Sequence, residues 1–115
     1  MIQTIELQST PNQSLKTVLN NQIIDLKFNT ANDKLYCDFY LNNTLMQSNI
    51  KCNNGVNLTS YIPEFKGFLF FWDISDKEPN YNNFTTTCSL NFSDNDVLTA
   101  YYEAWKVANG YWNEN

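Results

Sequence analysis

The chain of 115 residues contains no histidine and no arginine, and lysine supplies all seven of its positive charges. Histidine is the commonest general base and metal ligand, and arginine is the side chain that grips phosphate and carboxylate groups through paired hydrogen bonds. Catalysis would have to rely on carboxylates, Lys, Tyr or Cys. The composition therefore favours a protein that binds, plugs or assembles, and we expect no enzymatic activity and no cofactor.

Other features that the chain lacks exclude further classes of protein. The net charge is −5, and no segment carries the clustered lysines that phosphate contacts require, so we expect no nucleic-acid partner. The longest apolar run, residues 68–72, is far shorter than the roughly 20 residues that span a bilayer, so we expect no membrane partner. Residues 1–7 have neither the basic nor the apolar part of a targeting peptide.

Cysteine and glycine are both scarce. Cys37, Cys52 and Cys88 are odd in number and widely spaced, which predicts buried, reduced thiols. Three thiols without histidine leave a tetrahedral site incomplete, so we expect no metal. There are three glycines but nineteen asparagines, and asparagine tolerates the left-handed backbone of tight turns.

Hydrophobic residues make up 43% of the chain and aromatic residues 16%, enough for one packed domain. From Ser14 onward apolar residues recur at every second position, which predicts half-buried strands. Asn20-Asn21 and Asn42-Asn43 separate these runs as two-residue turns, so a β-meander is predicted. Asn53-Asn54-Gly55 predicts a third hairpin, between a strand through Met46 and Ile50 and the segment Val56-Asn57-Leu58.

The second half of the chain is less regular. Residues 68–72 are apolar on both faces and predict a central strand. Residues 73–83 read as a surface loop and residues 84–92 as a late strand. After Ser93 the period changes to that of an amphipathic helix, roughly residues 94–108, followed by the aromatic tail Tyr111-Trp112.

The expected fold is therefore mainly β, a small antiparallel β-sandwich or barrel-like meander with one C-terminal amphipathic helix. We divide the chain into a β-domain, residues 1–92, and the C-terminal helix and tail, residues 93–115.

Few side chains are candidates for chemistry. Asp73, Asp76 and Glu78 form the one tight acidic cluster, but loops are where acids are solvated and the spacing does not match an EF-hand. Matches to Asn-x-Ser/Thr, Asn57-Leu58-Thr59 among them, are interpreted as chance products of an Asn-rich chain. Aromatic rings on a β-scaffold could stack on a sugar, and the candidates are Tyr61, Trp72, Tyr81 and Trp112.

An ordered series of short motifs resembles the phage baseplate plug family. The series comprises Pro11-Asn12-Gln13-Ser14, Asn20-Asn21-Gln22, Leu26-Lys27-Phe28-Asn29, Gly55-Val56-Asn57-Leu58, Tyr61, Gly67-Phe68-Leu69, Asp73, Pro79 and Leu90-Asn91-Phe92. The resemblance covers about residues 5–92. It departs at Asn20-Asn21, where the family favours glycine, and it does not extend to residues 93–115.

The resemblance implies a small β-rich structural protein of a contractile phage tail baseplate that plugs or braces the central hub through protein–protein contacts. It implies no catalytic residue. The expected partners are baseplate hub, spike or tail-tube proteins, with several copies around the tail axis. The expected location is the virion tail baseplate, after assembly in the host cytoplasm. The alternative hypothesis is a carbohydrate-binding β-module used in host attachment.

The candidate interface combines this resemblance with the aromatic tail, since Tyr and Trp are enriched at the centres of interfaces. Its members are Pro11, Asn12, Gln13, Tyr61, Trp105, Tyr111 and Trp112.

Overall fold

The computed structural model describes residues 2–94, which form a mainly β protein of two antiparallel sheets. The strands in chain order are β1 (Ile2–Ile5), β2 (Gln13–Leu19), β3 (Gln22–Ala31), β4 (Lys34–Leu41), β5 (Thr44–Lys51), β6 (Phe68–Asp73) and β7 (Cys88–Ser93), with a short 3-10 helix, Tyr81–Asn83, before β7. One sheet has the order β2-β3-β4-β5 and the other β1-β7-β6. The predicted helix over residues 94–108 lies outside the described residues.

The four-stranded sheet is the predicted meander, and asparagine makes its turns. Two-residue turns join β2 to β3, β3 to β4 and β4 to β5, and both residues of each turn have positive φ angles between 49° and 69°. Such a pair is a type I′ turn, whose twist matches that of the flanking strands. Two of the turns, Asn20-Asn21 and Asn42-Asn43, were predicted. The third, Asn32-Asp33, was not.

The two sheets face each other across one hydrophobic core. Alternate side chains of β3 and β4 enter it from one side, and alternate side chains of β6 and β7 enter it from the other. Phe28 meets Phe71 edge to face at 5.8 Å between ring centroids, and Phe65 lies between Phe39 and Phe92 at 5.2 and 5.8 Å. These contacts are those of the predicted β-sandwich.

The prediction that residues 68–72 form a central strand is wrong, although both of its faces are buried as expected. β6 lies at an edge of the three-stranded sheet. Leu69 and Phe71 enter the main core, while Phe70 and Trp72 form a second buried cluster on the opposite face. Burial on both faces thus gave the same apolar pattern that a central strand would have.

Two further predictions need correction. Asn53-Asn54-Gly55 forms a turn but no hairpin, because the chain beyond it bridges to β6 through Asn54 and Asn57 and does not return along β5. The late strand starts at Cys88 and not at residue 84, because residues 81–87 form the 3-10 helix and a turn capped by the side chain of Asn80. β1, which pairs with β7, was not predicted.

Candidate interaction surface

The segment of residues 11–13 is an exposed corner that is fastened to the rest of the domain. Pro11 and Asn12 are exposed and Gln13 is half-buried. The Thr30 hydroxyl donates to the Pro11 carbonyl at 2.8 Å, and the Thr30 backbone N–H donates to Asn12 Oδ1 at 3.2 Å. The Gln13 carboxamide forms two hydrogen bonds with the backbone of Gln8, at 3.0 and 2.6 Å. The polar groups of this corner therefore serve the fold, and the Pro11 ring is its free surface.

Tyr61 is the most exposed large side chain with apolar surface among the described residues, at 86%. It lies on the connection between β5 and β6, and Asn57 holds this connection in place. Asn57 Oδ1 accepts three hydrogen bonds, from the Thr59 backbone N–H (3.1 Å), the Thr59 hydroxyl (2.9 Å) and the Leu69 backbone N–H (3.1 Å). The first two close an Asx-type turn, and the third ties that turn to β6. Tyr61 is thus displayed from a braced loop.

A groove of ≈ 340 Å³ separates this loop from β5. Its lining residues are Gln47, Asn49, Ile50 and Lys51 of β5 and Asn53, Val56, Asn57, Leu58, Ser60 and Tyr61 of the loop. Val56 is 48% exposed, so the loop side offers two large apolar surfaces. The carboxamides of Gln47 and Asn49 form no side-chain hydrogen bond with any other residue between 2 and 94, so the β5 side offers free donors and acceptors.

The groove is close to electrically neutral. Lys51 is its one charged lining residue, and its ammonium group lies 3.7 Å from the Glu78 carboxylate and 2.6 Å from Asn53 Oδ1. A neutral groove with apolar and amide groups fits an uncharged polar surface that carries an apolar anchor.

A bulge in β5 shapes this groove. The register between β4 and β5 shifts twice, between Cys37 and Tyr40 on the β4 side. On the β5 side Asn49 has a φ of 59°, and its backbone N–H donates to Asp38 Oδ1 at 2.8 Å. Bulges redirect side chains and interrupt strand pairing, and they are frequent beside functional sites.

The side chains of the acidic cluster, Asp73, Asp76 and Glu78, form no shared site. Each accepts hydrogen bonds from other residues of the domain. Asp73, which was predicted to lie in a surface loop, is completely buried at the end of β6, where it accepts hydrogen bonds from the Ser75 N–H (2.7 Å) and the Thr87 hydroxyl (3.2 Å). Asn54 Nδ2 donates to Asp76 at 3.1 Å, and its backbone N–H donates to Glu78 at 3.4 Å. Over residues 2–94 no group of three or more His, Cys, Asp or Glu side chains could hold a metal ion.

The rings proposed for sugar stacking do not form one platform. Trp72 is buried, which contradicts its candidacy, and Tyr81 is half-buried against the main core. Tyr61 alone of the three described rings is exposed. Trp112 lies outside the described residues, as do the interface candidates Trp105 and Tyr111.

The three cysteines are buried free thiols, as predicted. Burial, with a smaller contribution from the nearby Asp73 carboxylate, raises the pKa of Cys88 to about 12, and burial likewise raises the pKa of Cys37 and Cys52. Buried thiols of this kind stay protonated and unreactive at neutral pH.

The described residues thus present an exposed corner at residues 11–13 and a neutral groove beside Tyr61. No described helix is long and apolar enough to cross a membrane. The cyanophage baseplate Pam3 plug gp18 family matches residues 2–95, which is most of the chain and the whole of the two-sheet domain. The chain belongs to this family. No curated protein matches it.

Membership in the baseplate plug family indicates a structural component of the phage tail that contacts other baseplate or tail proteins. The resemblance predicted from the ordered motifs is thereby confirmed. Sequence reasoning missed the groove residues Gln47, Asn49 and Val56 and the bracing role of Asn57. The signal for Asn57 was present, because Asn57-Leu58-Thr59 matches an Asx turn as well as a glycosylation acceptor.

Proposed function

We propose that the protein plugs or braces the central hub of a contractile tail baseplate through protein–protein contacts. The family match over residues 2–95 carries this proposal. The geometry supports it, because the acidic and thiol groups that could serve chemistry are used in internal bonds or buried as protonated thiols. Its partners are hub, spike or tail-tube proteins, and it assembles with them in the host cytoplasm.

The contact surface that we propose has three parts. The groove beside Tyr61 supplies an exposed ring, an apolar neighbour and free carboxamides. The corner at Pro11, Asn12 and Gln13 supplies a rigid exposed surface. The C-terminal aromatic residues Trp105, Tyr111 and Trp112 complete the set on sequence grounds. Several copies around the tail axis would repeat these contacts in threefold or sixfold arrangement.

The test of the groove replaces its ring in the full-length protein. Tyr61→Ser removes an exposed aromatic anchor, and such anchors contribute about 2 kcal/mol or more to an interface, which is about a 30-fold loss of affinity. We expect far fewer copies in purified virions by quantitative mass spectrometry, with an unchanged circular dichroism spectrum. Ile74→Ser is the matched control, since Ile74 is 56% exposed and does not line the groove. Equal incorporation of both variants would remove the groove from the interface.

The C-terminal part needs its own variants. Tyr111→Ser combined with Trp112→Ser leaves every described strand unchanged and removes the aromatic tail. Reduced incorporation into virions is the expected result. Normal incorporation and infectivity would restrict the interface to residues 2–94.

Carbohydrate binding is the second candidate, and the exposed Tyr61 ring beside the carboxamides of Gln47 and Asn49 is the observation that favours it. Glycan-array screening with intrinsic tryptophan fluorescence separates the two functions. A saturable, sugar-dependent shift that Tyr61→Ser abolishes would favour attachment to a host glycan over a purely structural role.

A further inference from the structure

The four edges of the two sheets are protected to different extents. A free edge offers unpaired backbone groups to another strand, and natural proteins usually block it. β5 is bulged, β6 is bridged along its outer side by Asn54 and Asn57, and β1 has only four residues. β2, the remaining edge, is seven residues long, contains no proline and keeps an unbroken register with β3. It carries none of the blocking features of the other three edges, and the one charged side chain on it is Lys16.

The register identifies the backbone groups that β2 leaves open. The two-residue turn makes Leu19 and Gln22 a hydrogen-bonded pair, and in an antiparallel ladder such pairs alternate with pairs that form no hydrogen bonds. Leu15, Thr17 and Leu19 therefore direct their N–H and C=O groups to β3. Ser14, Lys16 and Val18 direct theirs away from the sheet, and no hydrogen bond from within residues 2–94 reaches these groups.

The apolar side chains along this edge would also become more buried beside a neighbouring strand. Leu15 and Thr17 point toward the core but are only half-buried, because no strand flanks them on the open side. On the outer face Val18 is 61% exposed and pairs with Ile23, which is 39% exposed. An added strand would cover the flank of Leu15 on one face and Val18 on the other.

Charge repulsion argues against a second copy of this chain as the strand that pairs with β2. Lys16 lies at the centre of the open stretch, 3.8 Å from Asp25 and 3.4 Å from Asn43 Oδ1. Pairing of β2 with β2 of a second copy across a two-fold axis, with full overlap, sets Lys16 opposite Lys16, and like charges directly opposite destabilise a sheet. The net charge of −5 adds repulsion between copies.

We propose that β2 receives an extended segment of another baseplate protein, which adds to the four-stranded sheet as a fifth strand. This inference rests on the proposed function. The segment carries an apolar residue toward Leu15, an apolar residue beside Val18 and an acidic or uncharged residue opposite Lys16. Main-chain hydrogen bonds to Ser14, Lys16 and Val18 supply the affinity, and the alternating side chains supply the selectivity.

Hydrogen exchange tests the strand directly in the full-length protein. We expect the amides of Ser14, Lys16 and Val18 to exchange rapidly in the isolated protein and to slow by about 100-fold or more in purified baseplates. The amides of Leu15 and Thr17 are the internal control, since β3 protects them in both states. Rapid exchange at the three outward amides in baseplates that contain the protein would overturn the inference while leaving the proposed function standing. Absence of the protein from baseplates would overturn the proposed function instead.

A proline substitution provides the second test. Lys16→Pro removes an outward N–H, and proline is tolerated on an edge strand where its nitrogen faces solvent. We expect a folded protein by circular dichroism with at least a tenfold loss of incorporation into baseplates. Lys16→Ala is the matched control, because it removes the charge and keeps the N–H, and it incorporates normally. Normal incorporation of Lys16→Pro would contradict the added strand. Analytical ultracentrifugation shows whether the isolated protein forms a dimer. If it does, and the outward amides of β2 exchange slowly in that dimer, a second copy is the occupant and the proposed partner is overturned.

Discussion

Asn57 braces the loop that carries Tyr61. Its Oδ1 atom accepts three hydrogen bonds at 2.9 to 3.1 Å, from both donors of Thr59 and from the backbone N–H of Leu69. Leu69 is fully buried and Thr59 is 5% exposed, so water does not readily replace the lost acceptor. Asn57→Ala therefore removes three bonds worth about 1 kcal/mol each and leaves a buried donor unsatisfied.

The expected loss of unfolding free energy for Asn57→Ala is about 3 kcal/mol, which corresponds to a fall in Tm of about 12 °C for a domain of this size. Urea denaturation and thermal melting followed by circular dichroism measure both quantities. Asn57→Asp is the matched control. A carboxylate oxygen can accept the same three bonds, and the Asn57 carboxamide donates none to another residue in the described chain, so we expect a loss below about 1 kcal/mol. An alanine variant within about 0.5 kcal/mol of wild type, or an aspartate variant as unstable as the alanine one, would refute the bracing role of Asn57.

The remaining predictions concern the backbone and the thiols. Gly67 has a φ of 125°, and a Cβ there would lie 2.9 Å from the Ser93 carbonyl oxygen. Gly67→Ala should therefore lower the free energy of unfolding, measured by urea denaturation, by about 3 kcal/mol. A urea midpoint equal to that of the wild type would contradict this. At Asn21, where φ is 61°, we expect Asn21→Val to cost about 1–2 kcal/mol and Asn21→Gly to cost little, and equal midpoints would contradict the type I′ turn. The pKa of Cys88 is raised from 9.0 to about 12, so the unfolded chain loses this proton first. The Cys88 thiol should therefore lower stability by up to about 1.4 kcal/mol per pH unit between pH 9 and 12. Cys37 and Cys52 add to this slope and remain in Cys88→Ala, so the variant should lose stability less steeply than wild type, and identical slopes would contradict the burial of Cys88.

The four-stranded sheet could be predicted from the sequence because its signals are local. Alternation and paired asparagines specify strands β2 to β4 and two of their turns, and the structure confirms the inward faces of Leu26 and Phe39. Asn32-Asp33 was missed although it has the same turn chemistry, because the polar residues around it hide the break between two long strands.

The three-stranded sheet was harder to predict because its pairings are distant in sequence. Ile2 pairs with Ser93 and Gln3 with Phe92. Local sequence patterns do not predict contacts between residues so far apart in the chain. The apolar run in β6 reports burial on both faces but not the position of the strand in the sheet. The Asn-Gly signal at residues 54–55 specifies a turn, whereas the bridge from Asn54 to Phe71 decides where the chain goes next.

The candidate interaction surface could be predicted only in part. Exposure of Tyr61 and burial of Trp72 follow from tertiary packing, and an aromatic residue in a sequence does not reveal which of the two it adopts. The groove requires the loop that follows β5 to lie beside that strand, and the alternation of side chains in β5 does not predict the bulge at Asn49.

Electron cryo-microscopy of the baseplate of virions that carry this protein tests the central claim most directly. We predict density for the two-sheet domain at the tail axis, in threefold or sixfold arrangement, with the Tyr61 groove covered by a neighbouring protein. Density for the domain only on peripheral fibres, or none in the baseplate, would contradict a protein that plugs or braces the hub.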